Sequence, residues 1–281
     1  MDEISRHSDV ISTCAARLAE AEARRLPIDP LTKTFPELSL VDAYSIQRTN
    51  IDLRTGRGER VVGHKVGLTA AAMQELFGVR EPDYGVLLDS MVHDAREPLD
   101  LAELIDPQVE VEPAFVLGKR LKGPGLTGAE VLAAVDSVCV CFEVIDSRII
   151  DWRIKIQDTV ADNGSSARIV LGSERVNPVR LALDNLEAAM ELDGVVVERG
   201  NTSAILGHPA TSVAWLANTL SKFDLALEPG DIVLPGTCMR SRRIAGHKRA
   251  TGRIAGLGEV TFLIKNAPTV TSSPPVVRQR P

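Results

Sequence analysis

The 281-residue sequence is poor in aromatic residues, which make up 4% of it, and it contains no apolar run of the roughly 20 residues that a membrane-spanning helix needs. The N-terminus has neither the basic start nor the apolar stretch of a signal peptide. We therefore expect a cytoplasmic protein without a membrane partner. Because the net charge is −6, no basic excess points to nucleic acid, and a small-molecule substrate is favoured.

Cysteine and histidine spacing argues against a soft-metal or histidine-based metal site. The cysteines are Cys14, Cys139, Cys141 and Cys238, and no two of them form a CxxC motif. We predict that they are buried free thiols. None of the five histidines has a histidine partner at a spacing typical of metal ligands.

The apolar pattern predicts a helical N-terminal region followed by a β-rich body. Helical spacing predicts a helix over 8–25, and Ser39 with Asp42 forms a capping-box pattern that begins a second helix, with a loop over 26–36 between the two. We expect three regions in the chain, namely a helical cap over 1–80, the main domain over 81–266 and a disordered tail over 267–281.

Turn and capping signals mark further elements of the main domain. Thr127 and Glu130 form a second capping-box pattern, which predicts a short helix. Asp193 and Gly194 predict a two-residue β-hairpin. A helix is expected over 209–220, and a last pair of strands is expected to flank Leu257.

Two glutamates stand out in the stretch 106–117. If this stretch is a strand, Glu110 and Glu112 project from one face, roughly 7 Å apart along the chain. Their charges repel unless a cation lies between them, and hard divalent cations prefer such oxygen ligands. The pair is therefore half of a candidate metal site, and a solvated edge strand with two surface acids is the alternative.

Glu143 lies in an otherwise apolar run over 138–146, which predicts a buried strand. An ionised carboxylate in such a place costs several kcal/mol unless it is paired or bound to a metal. Glu143 is therefore a candidate third ligand. An ion pair with Arg148 or Arg153 is the alternative.

Lys65 lies in a predicted strand, where Gly63 and Gly67 occupy the same face. Neighbouring glycines leave space for a ligand beside the ammonium group. The alternative is a lysine at a strand end whose head group reaches solvent. Thr69 follows, and we predict that it caps a short helix.

Two polar segments contain further candidates. Asp83 lies in a predicted turn over 82–85, where it could cap the turn or act as a catalytic acid or base. The segment 151–166 is rich in polar residues and ends in Asp-Asn-Gly-Ser-Ser, which suits a loop that folds over a site.

Taken together, these motifs resemble the 2-keto-4-pentenoate hydratase and 2-oxohex-3-enedioate decarboxylase family, within the fumarylacetoacetate hydrolase superfamily. The motifs are Gly63-His64-Lys65-Val66-Gly67-Leu68-Thr69, Pro82-Asp83-Tyr84-Gly85 and the segments 107–117, 143–149 and 158–166. The resemblance covers about residues 10–265. It implies an α/β (α+β) fold, built as a mixed β-roll or distorted sandwich with flanking helices, and assembly into homo-oligomers.

The resemblance also implies a set of site residues. One Mg²⁺ or Mn²⁺ ion is expected on Glu110, Glu112 and Glu143. Proton transfer is expected from Lys65 and Asp83, and substrate contacts are expected from Ser165, Ser166 and Thr237.

The activity that the resemblance implies is hydration of 2-hydroxypenta-2,4-dienoate, or a close homologue, to a 4-hydroxy-2-oxo acid in an aromatic or steroid meta-cleavage pathway. Metal-dependent decarboxylation of a 2-oxo-3-hexenedioate is the nearest alternative, and hydrolysis of fumarylpyruvate-like diketo acids is more distant. A non-catalytic oligomeric partner of a pathway enzyme is an alternative of another class. The resemblance also allows an active hydratase to form a complex with such an enzyme.

Two features favour the hydratase and two depart from the family pattern. The segments 147–155 and 256–260 are more similar to hydratases than to decarboxylases. Gly164 stands where the family usually has alanine, so we expect a more mobile loop there. The basic cluster of Arg240, Arg242 and Arg243 would suit a dicarboxylate substrate rather than a monocarboxylate.

Overall fold

The computed structural model describes residues 3–266, which form two β-sheets with helices around them. The larger sheet contains β1 (Val61–Gly67), β2 (Asp83–Leu88), β3 (Val92–His93), β5 (Gln108–Leu117), β6 (Val135–Ile145), β7 (Ser166–Leu171), β10 (Ile232–Leu234) and β11 (Arg242–Arg243). The smaller sheet contains β4 (Leu99–Asp100), β8 (Glu187–Leu192), β9 (Val195–Asn201), β12 (Arg249–Ile254) and β13 (Gly258–Lys265). The strand orders are β2-β1-β10-β5-β6-β7-β3, with β11 also paired to β5, and β4-β13-β12-β8-β9.

Strands β5 and β6 form the centre of the larger sheet and separate its two faces. They pair antiparallel with Glu110 opposite Glu143 and Val111 opposite Phe142. Because side chains alternate along a strand, Val111 and Phe142 face the smaller sheet while the glutamates face the other way. Phe142 packs edge-to-face on Phe262 of the smaller sheet, with ring centroids 5.3 Å apart. The mixed sandwich expected from the sequence is confirmed.

Three N-terminal helices pack on the segment that follows β6. They are α1 (Glu3–Arg24), α2 (Leu31–Thr34) and α3 (Leu40–Thr55). Helices α2 and α3 contact α6 (Ile156–Ala161), and α1 packs on α3. Leu18, Ile46 and Val160 lie in their shared apolar cluster. The capping box of Ser39 and Asp42 is confirmed. The loop prediction over 26–36 is wrong in part, because α2 forms one helical turn there.

The remaining helices are α4 (Ala71–Phe77), α5 (Gly128–Ala134) and α7 (Pro209–Ser221). The capping box of Thr127 and Glu130 at the start of α5 is confirmed. The prediction that Thr69 caps α4 is wrong: Ala70 holds the N-cap position, and no side chain caps the helix. The predicted turn at Asp83 is also wrong, because that residue already begins β2.

The expected hairpin lies between β8 and β9, where Asp193 and Gly194 both have positive φ angles, of 52° and 84°. Positive φ at both central residues gives the turn that matches the twist of the flanking strands. The last strand pair, β12 and β13, also forms as expected. All four cysteines are buried and free, which confirms that prediction.

The predicted tail over 267–281 lies outside the described residues. The predicted division between a cap region and a main domain at residue 80 stays a prediction; β1, which precedes it, is a strand of the larger sheet. Within residues 3–266, no helix combines the length and apolar character that crossing a membrane requires.

Candidate metal centre and active site

Glu110, Glu112 and Glu143 converge on the helix-covered side of the larger sheet. One carboxylate oxygen from each lies within 4.8 Å of the others. The alternative of a solvated edge strand is wrong, because β5 lies between β10 and β6 and Glu112 is only 1% exposed. Strand alternation puts Glu110 and Glu112 on one face of β5. The pairing of β5 with β6 then places Glu143 opposite Glu110 and completes the cluster.

Glu143 has the environment of a metal ligand. It is 0% exposed, and neither of its carboxylate oxygens accepts a hydrogen bond from any described residue. The Lys65 Nζ lies 3.6 Å from Glu143 Oε2, beyond hydrogen-bond distance. The alternative ion pairs are wrong, because Arg148 pairs with Asp162 and Arg153 pairs with aspartates near the surface. Lys65 is therefore at ion-pair distance only, and both Glu143 oxygens keep lone pairs that a bound cation could use.

Burial and mutual repulsion make these carboxylates hard to ionise together. Burial first, and the charge of Glu143 second, raise the pKa of Glu110 to about 7. The same causes raise the pKa of Glu112 well above its ordinary value. Burial also raises the pKa of Glu143, although Lys65 opposes this effect. An all-oxygen donor set of this kind fits a hard divalent cation, which would offset the repulsion.

Glycine at position 236 orients one of the three ligands. The Gly236 N–H donates to Glu112 Oε2 at 2.8 Å. Gly236 has a φ of 112°, and a Cβ atom there would lie 2.3 Å from Thr69 Oγ1. The position therefore requires glycine for both backbone and space. This contact joins positions 124 residues apart, so no local sequence pattern indicates it.

Gly63 and Gly67, two residues on either side of Lys65, let other parts of the protein pack closely around the lysine. A Cβ at Gly63 would overlap the backbone of Ile232 in β10, at 1.8 Å from its carbonyl oxygen. A Cβ at Gly67 would lie 2.1 Å from Asp83 Oδ1 and 3.4 Å from Lys65 Nζ. The glycines therefore let β10 and the Asp83 carboxylate approach the lysine. Space for a ligand remains on the Gly67 side, where Lys65 and Gly67 both line a cavity.

Lys65 and Asp83 form a buried acid–base pair of side chains at the metal centre. Burial opposes the charge of Lys65, but the carboxylates of Glu143, Asp83 and the other two glutamates outweigh it and raise its pKa. Burial raises the pKa of Asp83 as well, with Lys65 acting in the opposite direction, and Asp83 Oδ1 has no hydrogen-bond partner among the described residues. Perturbed groups of this kind are suited to proton transfer.

The Asp-Asn-Gly-Ser-Ser motif packs directly against Lys65. Much of the predicted loop over 151–166 is helical, since it contains α6 and a 3₁₀ turn over Asn163–Ser165. The Asn163 side chain accepts from Val86 N at 2.8 Å and donates to Val86 O at 2.9 Å, which joins the turn to β2. A Cβ at Gly164 would lie 3.1 Å from Lys65 Cε. Gly164 thus brings the turn into contact with the lysine chain.

A cavity of about 450 Å³ opens beside these groups. The predicted site residues that line it are Lys65, Asp83, Glu110, Ser165 and Thr237, and its walls also include Gln108, Met73, Phe77, Trp152, Ile154, Met239, Arg240 and Ser241. Of the predicted ligands, Glu112 and Glu143 are the most deeply buried. Trp152 lies in the segment that was predicted to fold over a site, whereas Gln108 and the apolar residues of α4 carry no local signal that places them in this cavity.

The predicted substrate-binding residues differ in their surroundings. Ser165 lines the cavity and donates to Asp162 Oδ2 at 3.4 Å. The Thr237 hydroxyl lies 3.2 Å from the Val111 carbonyl oxygen, so it also has a structural bond. Ser166 lines a separate cavity of about 30 Å³ beside Asp162 and Arg148. Substrate contact by these residues stays a prediction.

Two arginines of the basic cluster form ion pairs, and the third forms none with any described residue. Arg242 pairs with Glu198, and Arg243 Nη2 lies 2.7 Å from Asp106 Oδ2. Arg240 lines the cavity and makes no ion pair or side-chain hydrogen bond with the residues that the structure describes. One of the three arginines is therefore available to a ligand.

Comparison with known proteins agrees with this geometry. The family model for the fumarylacetoacetate (FAA) hydrolase C-terminal domain matches residues 70–265. The chain is 43% identical over 250 residues to a 2-hydroxyhexa-2,4-dienoate hydratase of Comamonas testosteroni, covering 88% of this chain and 95% of that protein. It is 44% identical over 253 residues to a 2-keto-4-pentenoate hydratase of Paraburkholderia phymatum, covering 89% and 95%.

A solved structure is also similar over nearly its whole length. It is the 4-oxalocrotonate decarboxylase from Pseudomonas putida G7 complexed with magnesium and adipate, with a TM-score of 0.86 and 35% identity, covering 91% of this chain and 97% of that one. The resemblance predicted from the motifs is thereby confirmed. The chain belongs to the fumarylacetoacetate hydrolase family.

Proposed function

We propose that this protein is a divalent-metal-dependent hydro-lyase that converts 2-hydroxy-2,4-dienoates to 4-hydroxy-2-oxo acids in a meta-cleavage pathway of aromatic or steroid rings. The observation that carries the proposal is the convergence of three glutamate carboxylates with Lys65 and Asp83 at one end of the cavity. Relatives above 40% identity that bear hydratase names support the reaction type.

The cation would be held by Glu110, Glu112 and Glu143, and Gly236 would keep Glu112 in position. When bound, it supplies a Lewis acid for the substrate carboxylate and the adjacent C2 oxygen. We propose Mg²⁺ or Mn²⁺, because both prefer oxygen donors. The similar decarboxylase structure is a complex with magnesium, which supports this choice.

Lys65 and Asp83 would move the protons of the reaction. The C2 hydroxyl of the dienol loses its proton and C5 gains one, which gives the 2-oxo-3-enoate. Water then adds its oxygen to C4, and C3 gains a proton, which completes the 4-hydroxy-2-oxo acid. Asp83, a carboxyl group with a raised pKa, can accept and return a proton, and the Lys65 ammonium can stabilise negative charge on the substrate oxygens.

The two proton-transfer groups can be tested separately from metal binding. We expect Lys65→Met and Asp83→Asn each to lower kcat by about 10²- to 10⁴-fold, the usual effect of a general acid or base. Calorimetry should show that both variants still bind the cation, because all three glutamates remain. Loss of cation binding in step with kcat would instead make these residues part of the metal site.

Decarboxylation of a 2-oxo-3-enedioate is the second candidate function, and the similarity to the decarboxylase structure favours it. It requires the same electron sink and a substrate with a second carboxylate. Release of CO₂ separates the reactions, since hydration releases none. A non-catalytic partner is disfavoured because the ligand set, Lys65 and Asp83 are all in place. A homo-oligomeric state, a complex with another pathway enzyme and a cytoplasmic location stay predictions.

The function is tested by offering the Mg²⁺- or Mn²⁺-loaded protein 2-hydroxypenta-2,4-dienoate, 2-hydroxyhexa-2,4-dienoate and 2-oxo-3-hexenedioate. We expect loss of the dienol absorbance and, by NMR, a 4-hydroxy-2-oxo acid from at least one dienoate, without CO₂. Release of CO₂ from the dioate without hydration of any dienoate would reverse the order of the two candidates. Cation binding without turnover of all three compounds would favour the non-catalytic interpretation.

A further inference from the structure

Beside the metal centre, β5 carries a third polar side chain on the same face. Gln108, Glu110 and Glu112 alternate with residues that face the smaller sheet, so all three project toward the cavity side. Gln108 lies two residues from Glu110, roughly 7 Å along the strand. It lines the same cavity as Lys65 and Glu110. The cavity therefore has a metal end and a second polar end.

The amide of Gln108 is oriented by a neighbouring strand. β11 pairs antiparallel with β5 and places Arg243 opposite Gln108. Ser241, which immediately precedes β11, donates from Oγ to Gln108 Oε1 at 2.7 Å. No described residue accepts a hydrogen bond from Gln108 Nε2, so this nitrogen can donate to a ligand. Ser241 therefore holds the amide oxygen of Gln108, and the amide nitrogen is left to donate to a ligand in the cavity.

Arg240 adds a positive charge to the lining of the same cavity. It lies one residue before Ser241 and lines the cavity. Arg242 and Arg243 are neutralised by Glu198 and Asp106, whereas Arg240 has no ion pair within the described chain. A guanidinium and an amide donor that line one cavity suit a carboxylate.

We propose that Gln108 and Arg240 bind a second carboxylate of the substrate, so that the preferred substrate is a dicarboxylate of six or seven carbons. This inference rests on the proposed function and specifies its substrate class. An extended chain advances about 3.5 Å for every three bonds, so roughly 7 Å spans about six bonds. That is the path from the C2 of a seven-carbon dioate to its distal carboxylate oxygen.

The size of the cavity agrees with a substrate longer than five carbons. The volume of about 450 Å³ lies within the range of roughly 300–1,000 Å³ that is typical of small-molecule sites. A five-carbon dienoate has only eight non-hydrogen atoms and extends three bonds beyond C2, about half of the roughly 7 Å that separates Gln108 from Glu110 along the strand. Its short end would therefore not reach Gln108.

The inference is tested by equilibrium binding of a matched pair of unreactive 2-oxo acids to the Mg²⁺-loaded protein. The pair is 2-oxohexanedioate and 2-oxohexanoate, which differ only in the distal carboxylate. Calorimetry should give at least about ten-fold tighter binding of the dioate, the effect expected for one hydrogen bond to a charged group. Arg240→Gln should lower this selectivity about ten-fold, and Arg242→Gln, the control at a paired arginine, should keep it.

Turnover provides the second arm, with 2-hydroxyhepta-2,4-diene-1,7-dioate and 2-hydroxyhepta-2,4-dienoate as the matched substrates. We expect a higher kcat/KM for the dioate, and the Arg240→Gln substitution should raise KM for it. Equal binding of the two 2-oxo acids, or equal loss of affinity for both in Arg240→Gln, would overturn the inference even if hydration is observed. Selective binding of the dioate without turnover of any dienoate would uphold the inference and refute the proposed hydratase.

Discussion

Replacement of a metal ligand should stabilise this protein when no cation is bound. Glu110 makes no hydrogen bond to any described residue, and its carboxylate faces two buried carboxylates. A pKa raised from 4.5 to about 7 corresponds to about 3 kcal/mol against the ionised form, at about 1.4 kcal/mol per pKa unit. Glu110→Gln removes this charge with little change in shape.

The pH dependence follows from the direction of the shift. Because the folded state raises the pKa, it holds the Glu110 proton more tightly than the unfolded chain does. The wild type therefore has no penalty below pH 4.5, an increasing penalty between pH 4.5 and about 7, and the full penalty above that. We expect Glu110→Gln to be more stable than the wild type by about 3 kcal/mol at pH 8, and by almost nothing at pH 4.5.

The assay is thermal and denaturant unfolding in the presence of a chelator, with Glu37→Gln as the control at an exposed glutamate. A gain of about 3 kcal/mol should raise Tm by about 5–10 °C in a chain of this size. With a cation at 100 times its Kd, the wild type should gain about 2.7 kcal/mol and the variant much less. Equal or lower stability of Glu110→Gln at pH 8, or a gain that does not change with pH, would refute the reasoning.

Three further predictions follow from the same contacts. Cation binding should release protons from the three glutamates and tighten from pH 6 to 8, and calorimetry in buffers of different ionisation enthalpy would show no proton release if the ligands were already ionised. Gly236→Ala should weaken cation binding about 10- to 100-fold by displacing Glu112, whereas Gly230→Ala, with φ of 93° but nothing within 4 Å of its Cβ, should not. Asp162→Asn should cost about 3–5 kcal/mol in denaturant unfolding because it leaves the buried Arg148 charge unpaired, and a loss under about 1 kcal/mol would contradict that role.

Local chemistry determined which parts of this fold could be predicted from the sequence. Capping boxes and the Asp193–Gly194 hairpin depend on contacts within a few residues, and they were confirmed. The shared face of Glu110 and Glu112 depends only on strand alternation, and it too was predicted correctly. Thr69 has the right residue type for a cap but packs against Gly236, which lies far away in the sequence.

The assembly of the site depends on strand order, which no local pattern contains. Lys65 reaches Glu143 because β1, β10, β5 and β6 are neighbours in one sheet, although β10 comes more than 85 residues after β6 in sequence. The same long-range pairing puts the Ile232 backbone against Gly63 and β11 beside Gln108. The sequence could therefore identify the ligand types and the basic cluster that contains Arg240, but not that Gln108 lines the same cavity.

The most direct test of a metal-dependent hydratase follows the absorbance of freshly generated 2-hydroxypenta-2,4-dienoate. Metal-stripped wild type is measured before and after addition of Mg²⁺ or Mn²⁺, and Glu112→Ala is measured in the same way. The five-carbon substrate is chosen because it has the carboxylate and the C2 to C5 atoms on which the proposed cation, Lys65 and Asp83 act. We predict cation-dependent loss of the dienol and formation of a 4-hydroxy-2-oxo acid, with neither in the variant. Turnover by stripped wild type, or equal turnover by Glu112→Ala, would contradict a hydratase centred on the three glutamates.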